Sequence, residues 1–472
     1  MSTRTTLTAP PSKQLTADQR WTLALASVGS FLVILDLFAV TTALPTLRVA
    51  LHASITTLDW TINAYTLTFA VLLMTAAALG DRWGRRRVYA SGLLLFAAAS
   101  VACALAPNGA VLIGARTVQG IGAAVTMPTA LALINTAFPA ERRGWAQGVF
   151  GAVTGLATVL GPVFGGVITQ LLSWSYIFWV NVPVGVAAAV AVLLRIRDVQ
   201  GGGRRALDLL GLVLGGTSVL ALVWGVVRAA ADGWGDRLVV GSLVLGGVAL
   251  VALLAWQRRA SQPLIPLRLF SDTAFASGIA GIFLQSASLT ALVFFTAQFL
   301  QDAQGDSPLV AGLGLLPLGL VPLVLGPWSG TSTDRVGARP MIVTGMALQT
   351  AGTIIPAVFS RPGLWYPMLA AAMAVVAVGF TLAVPALTKS VVGSVVHADI
   401  GTASGLFSTV RQVGAAFGVA VASAAFTTTG GYLTASSVAS GYRGAMIVAA
   451  VLAGLGTATT TISRTRAPSL GR

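Results

Sequence analysis

Ala77-Ala78-Leu79-Gly80-Asp81-Arg82-Trp83-Gly84-Arg85-Arg86 joins two long apolar runs. Its D-R-x-G-x-R core returns once, 253 residues later, as Asp334-Arg335-Val336-Gly337-Ala338-Arg339, again between apolar runs. A short arginine-rich turn repeated at so wide a spacing marks two halves of a duplicated unit, each holding several membrane spans.

The rest of the chain agrees with spans. Of 472 residues, 56% are hydrophobic and only 9% charged, with a mean hydropathy of +0.84. Soluble domains carry about 25% charged residues, so most of this chain belongs in lipid. A spanning helix needs about 20 apolar residues. Fourteen runs qualify, from 21–45 to 442–463. They are too long and continuous for barrel strands. The expectation is an all-α membrane protein with 14 transmembrane helices, arranged as two six-helix bundles plus two extra helices. Its parts are a cytoplasmic tail over 1–20, a first bundle over 21–194, a linker and two inserted helices over 195–272, a second bundle over 273–463, and a tail over 464–472. Gly201-Gly202-Gly203 lies in that linker.

The formal net charge is +15. With the N-terminus inside, 22 of the 29 Lys and Arg residues fall in cytoplasmic segments and 4 in outer ones. Arg116, Arg228 and Arg411 lie inside spans. The asymmetry places both termini in the cytoplasm. It supports an even helix count too, since losing one helix would invert every later loop. The charge is scattered over short loops, so no basic groove for nucleic acid forms. A single cysteine, Cys103, leaves no intramolecular disulfide, and two histidines, His52 and His397, make a zinc site untenable. No metal or organic cofactor is expected. The chain has no Walker A sequence and no acid–base–nucleophile constellation, so it reads as neither an ATP-driven pump nor an enzyme.

Several segments resemble the major facilitator superfamily, and within it the fourteen-helix drug:proton antiporters. The resemblance runs from the first span to the last. The stretch around Asp81 looks like the superfamily loop signature, with Ala77 in place of its first glycine. It implies a conformational latch formed by Asp81, Arg82, Gly84 and Arg85, with Asp81 set against the N-terminus of the helix that starts near Gly401. Leu112-Ile113-Gly114-Ala115-Arg116-Thr117-Val118-Gln119-Gly120 is similar to the fourth-helix motif, which implies a coupling role for Arg116. Gly161-Pro162-Val163-Phe164-Gly165-Gly166 matches the antiporter motif of the fifth helix. Leu35-Asp36-Leu37-Phe38-Ala39-Val40-Thr41-Thr42-Ala43-Leu44-Pro45 resembles the first-helix motif. Trp174-Ser175-Tyr176-Ile177-Phe178-Trp179-Val180-Asn181-Val182-Pro183 and Gly401-Thr402-Ala403-Ser404-Gly405 with Arg411-Gln412-Val413-Gly414 look like further family segments.

Asp36 is the one acid placed well inside a span. A carboxylate alone in low dielectric favours its protonated form, and so becomes a group that binds and releases a proton. A structural aspartate paired with Arg116 or a hydroxyl is the alternative. The substrate cavity is expected from Phe38, Asn63, Tyr65, Phe69, Gln119, Asn135, Gln285, Gln298 and Gln412 in an apolar wall. Together these imply a monomeric, multi-pass protein of the cytoplasmic membrane that exports lipophilic, neutral or monocationic small molecules against inward proton flow. A carrier for one metabolite and a non-transporting receptor on the same fold are the other readings.

Overall fold

A computed structural model describes residues 15–53, 55–197, 208–261, 263–396, 399–431 and 433–462. The tail residues Arg4 and Lys13, the linker glycines Gly201-Gly202-Gly203, His397 and the stretch 464–472 lie outside the described residues. The first half comprises α1 (Ala17–Ala50), α2 (Ile55–Trp83), α3 (Arg85–Ala104), α4 (Gly109–Ala137) and α5 (Arg143–Leu171). Its sixth span is broken into α6 (Tyr176–Trp179) and α7 (Asn181–Arg195). The inserted pair is α8 (Leu209–Asp232) and α9 (Arg237–Gln257). The second half runs through α10 (Thr273–Gln298), α11 (Pro308–Gly314) with α12 (Leu316–Val336) as one span, and α13 (Ala338–Phe359). It ends with α14 (Tyr366–Gly393), α15 (Ile400–Thr429) and α16 (Ala435–Ile462). Among the described residues, thirteen helices are long and apolar enough to cross a bilayer, and α2, bent by 51° between Leu73 and Thr75, completes fourteen.

Two boundaries differ from the sequence expectation for local reasons. Helix α1 begins at Ala17, not at 21. Thr16 and Gln19 form a capping box, in which the Thr16 hydroxyl accepts from the Gln19 N–H (3.2 Å) and the Gln19 side chain accepts from the Thr16 N–H (3.1 Å). The sixth span, expected unbroken over 174–194, interrupts at Val180. Pro183 has no N–H to give the Trp179 carbonyl, so one helical bond is missing at that turn.

Within the first half, α4 packs against α2 and α3, and α1 against α5. Within the second, α10 packs on α15 and α16, and α13 on α14 and α16. The halves meet along two seams, α5 with α12 and α2 with α15. Each seam joins the second span of one half to the fifth of the other, as the 253-residue repeat requires. The α5/α12 seam is tight because both helices carry small residues at four-residue spacing: Gly144 and Gly148 face Gly326 and Gly330. A Cβ on Gly144 would stand 2.6 Å from the Gly330 carbonyl, and one on Gly326 2.7 Å from the Gly148 carbonyl. Helices in lipid associate by such close packing, since lipid tails supply no hydrophobic drive.

The inserted α8 lies on α2 and α15, over the second seam, with α9 behind it. Asp208 ties the pair together. Its carboxylate caps α8 through the Gly211 N–H (2.8 Å) and accepts from Trp256 Nε1 (2.7 Å), Gln257 Nε2 (2.9 Å) and the Leu264 N–H (3.2 Å). Burial opposes its charge, but these four donors outweigh it and hold the carboxyl below its ordinary range.

Candidate functional site

Asp36 sits in the middle of α1 and is fully buried, yet it is not alone. Arg116 Nη1 of α4 donates to its Oδ2 at 2.5 Å. Gln119 Nε2, one turn along α4, donates to Oδ1 at 3.0 Å, and Asn181 Nδ2, at the start of α7, donates to the same oxygen at 2.7 Å. The network closes on itself. Arg116 Nη1 also donates to Gln119 Oε1 (2.6 Å), and Gln119 Nε2 reaches Ser100 Oγ of α3 (2.8 Å). Arg116 Nε points at the Thr61 carbonyl of α2 (3.4 Å). The guanidinium lies 4.1 Å from the Tyr65 ring centre and 5.9 Å from that of Phe178. Burying an ion pair costs several kcal/mol per ion unless hydrogen bonds satisfy the remaining valences. Here the carboxylate is fully engaged, whereas Arg116 Nη2 has no partner.

This corrects one expectation. Asp36 is not an isolated carboxylate. Its partners lie 80, 83 and 145 residues away in sequence, on helices whose rotation the sequence does not specify. Asn181 and Ser100 were not singled out as site residues, although Asn181 stood within the sixth-span segment that signalled the family.

The second half pairs neutral amides between its first and third spans. Gln285 of α10 donates to Gln349 Oε1 of α13 at 3.3 Å, and Gln349 donates to the Gln285 carbonyl at 3.1 Å. Both amides are buried.

The expected cavity set divides. Phe38, Asn63, Gln298 and Gln412 are half-buried. Tyr65, Phe69, Gln119, Asn135 and Gln285 are buried inside the bundles and do not line an open cavity. Tyr65 is sandwiched between Arg116 and Phe69, whose ring centre is 6.1 Å away. Asn135 accepts from Gln147 Nε2 at 2.6 Å. Polar side chains in a nearly lipid-like interior pair with one another wherever a partner is in reach.

The two repeated turns face each other's halves. Gly84 and Gly337 take φ values of 93° and 99°, which a side chain would strain, and so end α2 and α12 at equivalent points. Asp81 is held by Arg85 (2.7 Å) and lies against Gly401, at the N-terminus of α15. A Cβ on Gly401 would overlap both Asp81 carboxylate oxygens. Asp334 makes the mirror contact more fully. It accepts the Gly144 and Trp145 N–H groups at the start of α5 (3.1 and 3.0 Å), and Lys389 of α14 stands 2.7 Å from it. Each aspartate thus places negative charge at a positive helix end of the opposite half. Arg82 is exposed.

In the α5 motif, Gly161 and Gly165 meet α1. A Cβ on Gly161 would come within 2.5 Å of the Phe38 Cβ, and one on Gly165 would overlap the Ala39 carbonyl and the Thr42 hydroxyl. Pro162 faces Gly312 of the second half. Gly166 has open space around it. Gly165→Ala is therefore expected to cost about 1–3 kcal/mol through overpacking, whereas Gly166→Ala gains up to about 1 kcal/mol from helix propensity. Thermal unfolding of the two variants side by side checks this; equal effects would contradict the assigned rotation of α5.

Comparison with known proteins matches this architecture. The sequence model of the Major Facilitator Superfamily aligns with residues 26–257 and 278–471. The tetracenomycin C resistance and export protein of Streptomyces glaucescens is 35% identical over 408 residues, covering 85% of this chain and 74% of that protein. The cephamycin export protein CmcT of Amycolatopsis lactamdurans is 36% identical over 408 residues, covering 84% and 83%. Among solved structures, the proton:xylose symporter XylE superposes with a TM-score of 0.68 at 13% identity, covering 93% of this chain and 94% of its own. With both halves matched by the family model and relatives of this identity aligned over most of their length, the chain belongs to the major facilitator superfamily, as a multi-pass membrane transporter related to antibiotic export proteins.

Proposed function

We propose that this protein is a proton-coupled antiporter that exports amphipathic small molecules across the cell membrane by alternating access. Export is supported by relatives whose names record antibiotic export and resistance. Proton coupling rests on one observation: Asp36, fully buried in the middle of α1, is charge-paired with Arg116 of α4 and enclosed by Gln119 and Asn181. A proton arriving on Asp36 removes the charge that Arg116 is paired with. Five helices share that network, so its repacking is felt across the first half.

The two aspartate contacts close one end of the molecule. The arginine-rich turns put that end in the cytoplasm, so the described conformation is shut to the inside. The protein works as a monomer in this reading, with protons as the coupling ion and no other cofactor. In everted membrane vesicles, uptake of a fluorescent amphipathic dye should follow an imposed pH gradient and collapse with an uncoupler. Gradient-independent transport would overturn the coupling.

A further inference from the structure

Arg411 lies in α15, about 16 Å along the axis from the start of the helix, close to the middle of the span. Three sectors of this helix are occupied. Gly401 and Gly405 lie against Asp81 and Ala77 of α2. Gly414 and Gly418 press on the Phe283 and Ala287 backbone of α10. Leu406 and Val410 belong to the apolar cluster that includes Leu214 of α8 and Leu264. At roughly 100° per residue, the sector left over carries Ser404, Ser408 and Arg411, facing the interior between the halves, where α15 also meets α4. Arg411 is half-buried, and among the described residues it has no ion pair, hydrogen bond or nearby carboxylate. Two turns below it on the same stripe, the buried Ser404 hydroxyl is unpartnered as well.

Six acids among the described residues are committed elsewhere. Asp36 is matched to Arg116, Asp334 to Lys389 and Asp399 to Arg268, while Asp208, Asp236 and Asp272 cap helices. None of them faces Arg411, whose charge is left uncompensated among the described residues. An intramembrane arginine is costly without a partner and marks a functional position. Its planar fork matches a carboxylate or another oxyanion in two parallel hydrogen bonds.

We propose that Arg411 is the substrate-charge receptor: it binds the carboxylate, or an equivalent oxyanion, of an amphipathic organic anion. The idea rests on the export reading for its context and replaces the neutral or monocationic substrate expected above with an anionic one. It deepens that reading by naming a substrate class.

The test uses two xanthene dyes of like skeleton and opposite charge, fluorescein and rhodamine 6G. Binding to the purified full chain is measured by fluorescence polarisation, with no gradient present. The wild type should prefer fluorescein by about tenfold or more, and Arg411→Gln should lose that preference while binding rhodamine 6G at least as well. Arg411→Lys, which keeps the charge without the fork, should fall between them. A wild-type preference for rhodamine 6G would overturn the proposal. So would unchanged fluorescein binding in Arg411→Gln, or equal loss of both dyes, since the charge would then not be read. Because binding is scored without a gradient, a failure of proton coupling leaves the result intact. Conversely, gradient-driven export of rhodamine 6G without fluorescein binding would sink this inference and spare the antiport.

Discussion

Asp36→Asn is expected to abolish gradient-driven export, leaving only the leak seen with an uncoupler. It should also destabilise the protein. Asparagine cannot balance Arg116, and removing one partner of a buried pair costs about 3–5 kcal/mol. Loss of transport alone would therefore not separate a coupling group from a structural one. The double variant Asp36→Asn/Arg116→Gln does. Replacing both charges by neutral groups of similar size is often close to neutral, and the buried Gln285–Gln349 pair shows that the interior of this fold accommodates facing amides. Thermal stability should largely return in the double variant, while export stays absent. If export returned together with stability, the pair would be a structural element, and the proton would have to bind elsewhere.

Asp334→Asn is expected to open the closed end more than Asp81→Asn. The Asp334 carboxylate takes two backbone N–H groups from α5 and the Lys389 ammonium. Asparagine keeps one acceptor oxygen and loses the charge. At about 1.5–3 kcal/mol for a charge-assisted hydrogen bond, with a further helix-end contribution of up to about 2 kcal/mol, a shift of about 2–4 kcal/mol follows. That corresponds to roughly 30- to 1,000-fold in the open/closed ratio. Trp83 and Val336 occupy equivalent, exposed positions of the two repeated turns, one in each half. Spin labels at cysteines placed there, in a Cys103→Ser background, report their separation. A longer-distance population should appear in Asp334→Asn and grow in Asp81→Asn/Asp334→Asn. An unchanged distance distribution in both variants would rule out the latch.

The two cases mark where reasoning from sequence stopped. The family resemblance supplied a partner for one of the two D-R-x-G-x-R turns. Asp81 was expected against the helix that starts near Gly401, and the structure sets it there. Asp334 was read only as evidence of a repeat, yet it makes the more extensive contact. The α5/α12 seam was likewise missed, although Gly144-x-x-x-Gly148 and Gly326-x-x-x-Gly330 could have signalled it. Five of the residues expected in the cavity, among them Tyr65 and Asn135, proved to be interior. A nearly all-apolar helix has little amphipathic signal, so its rotation about its own axis cannot be read from periodicity.

By itself the sequence determined the number and order of the spans, the duplication, and the membrane class, because these follow from apolar length and from where arginines fall. It also named Asp36, Arg116 and the paired turns. Only the tertiary structure decided that Asp36 is caged by Arg116, Gln119 and Asn181, and that Arg411 is left uncompensated. Partnership between charges depends on which faces of distant helices meet, and that is settled by packing, not by the local pattern of the chain.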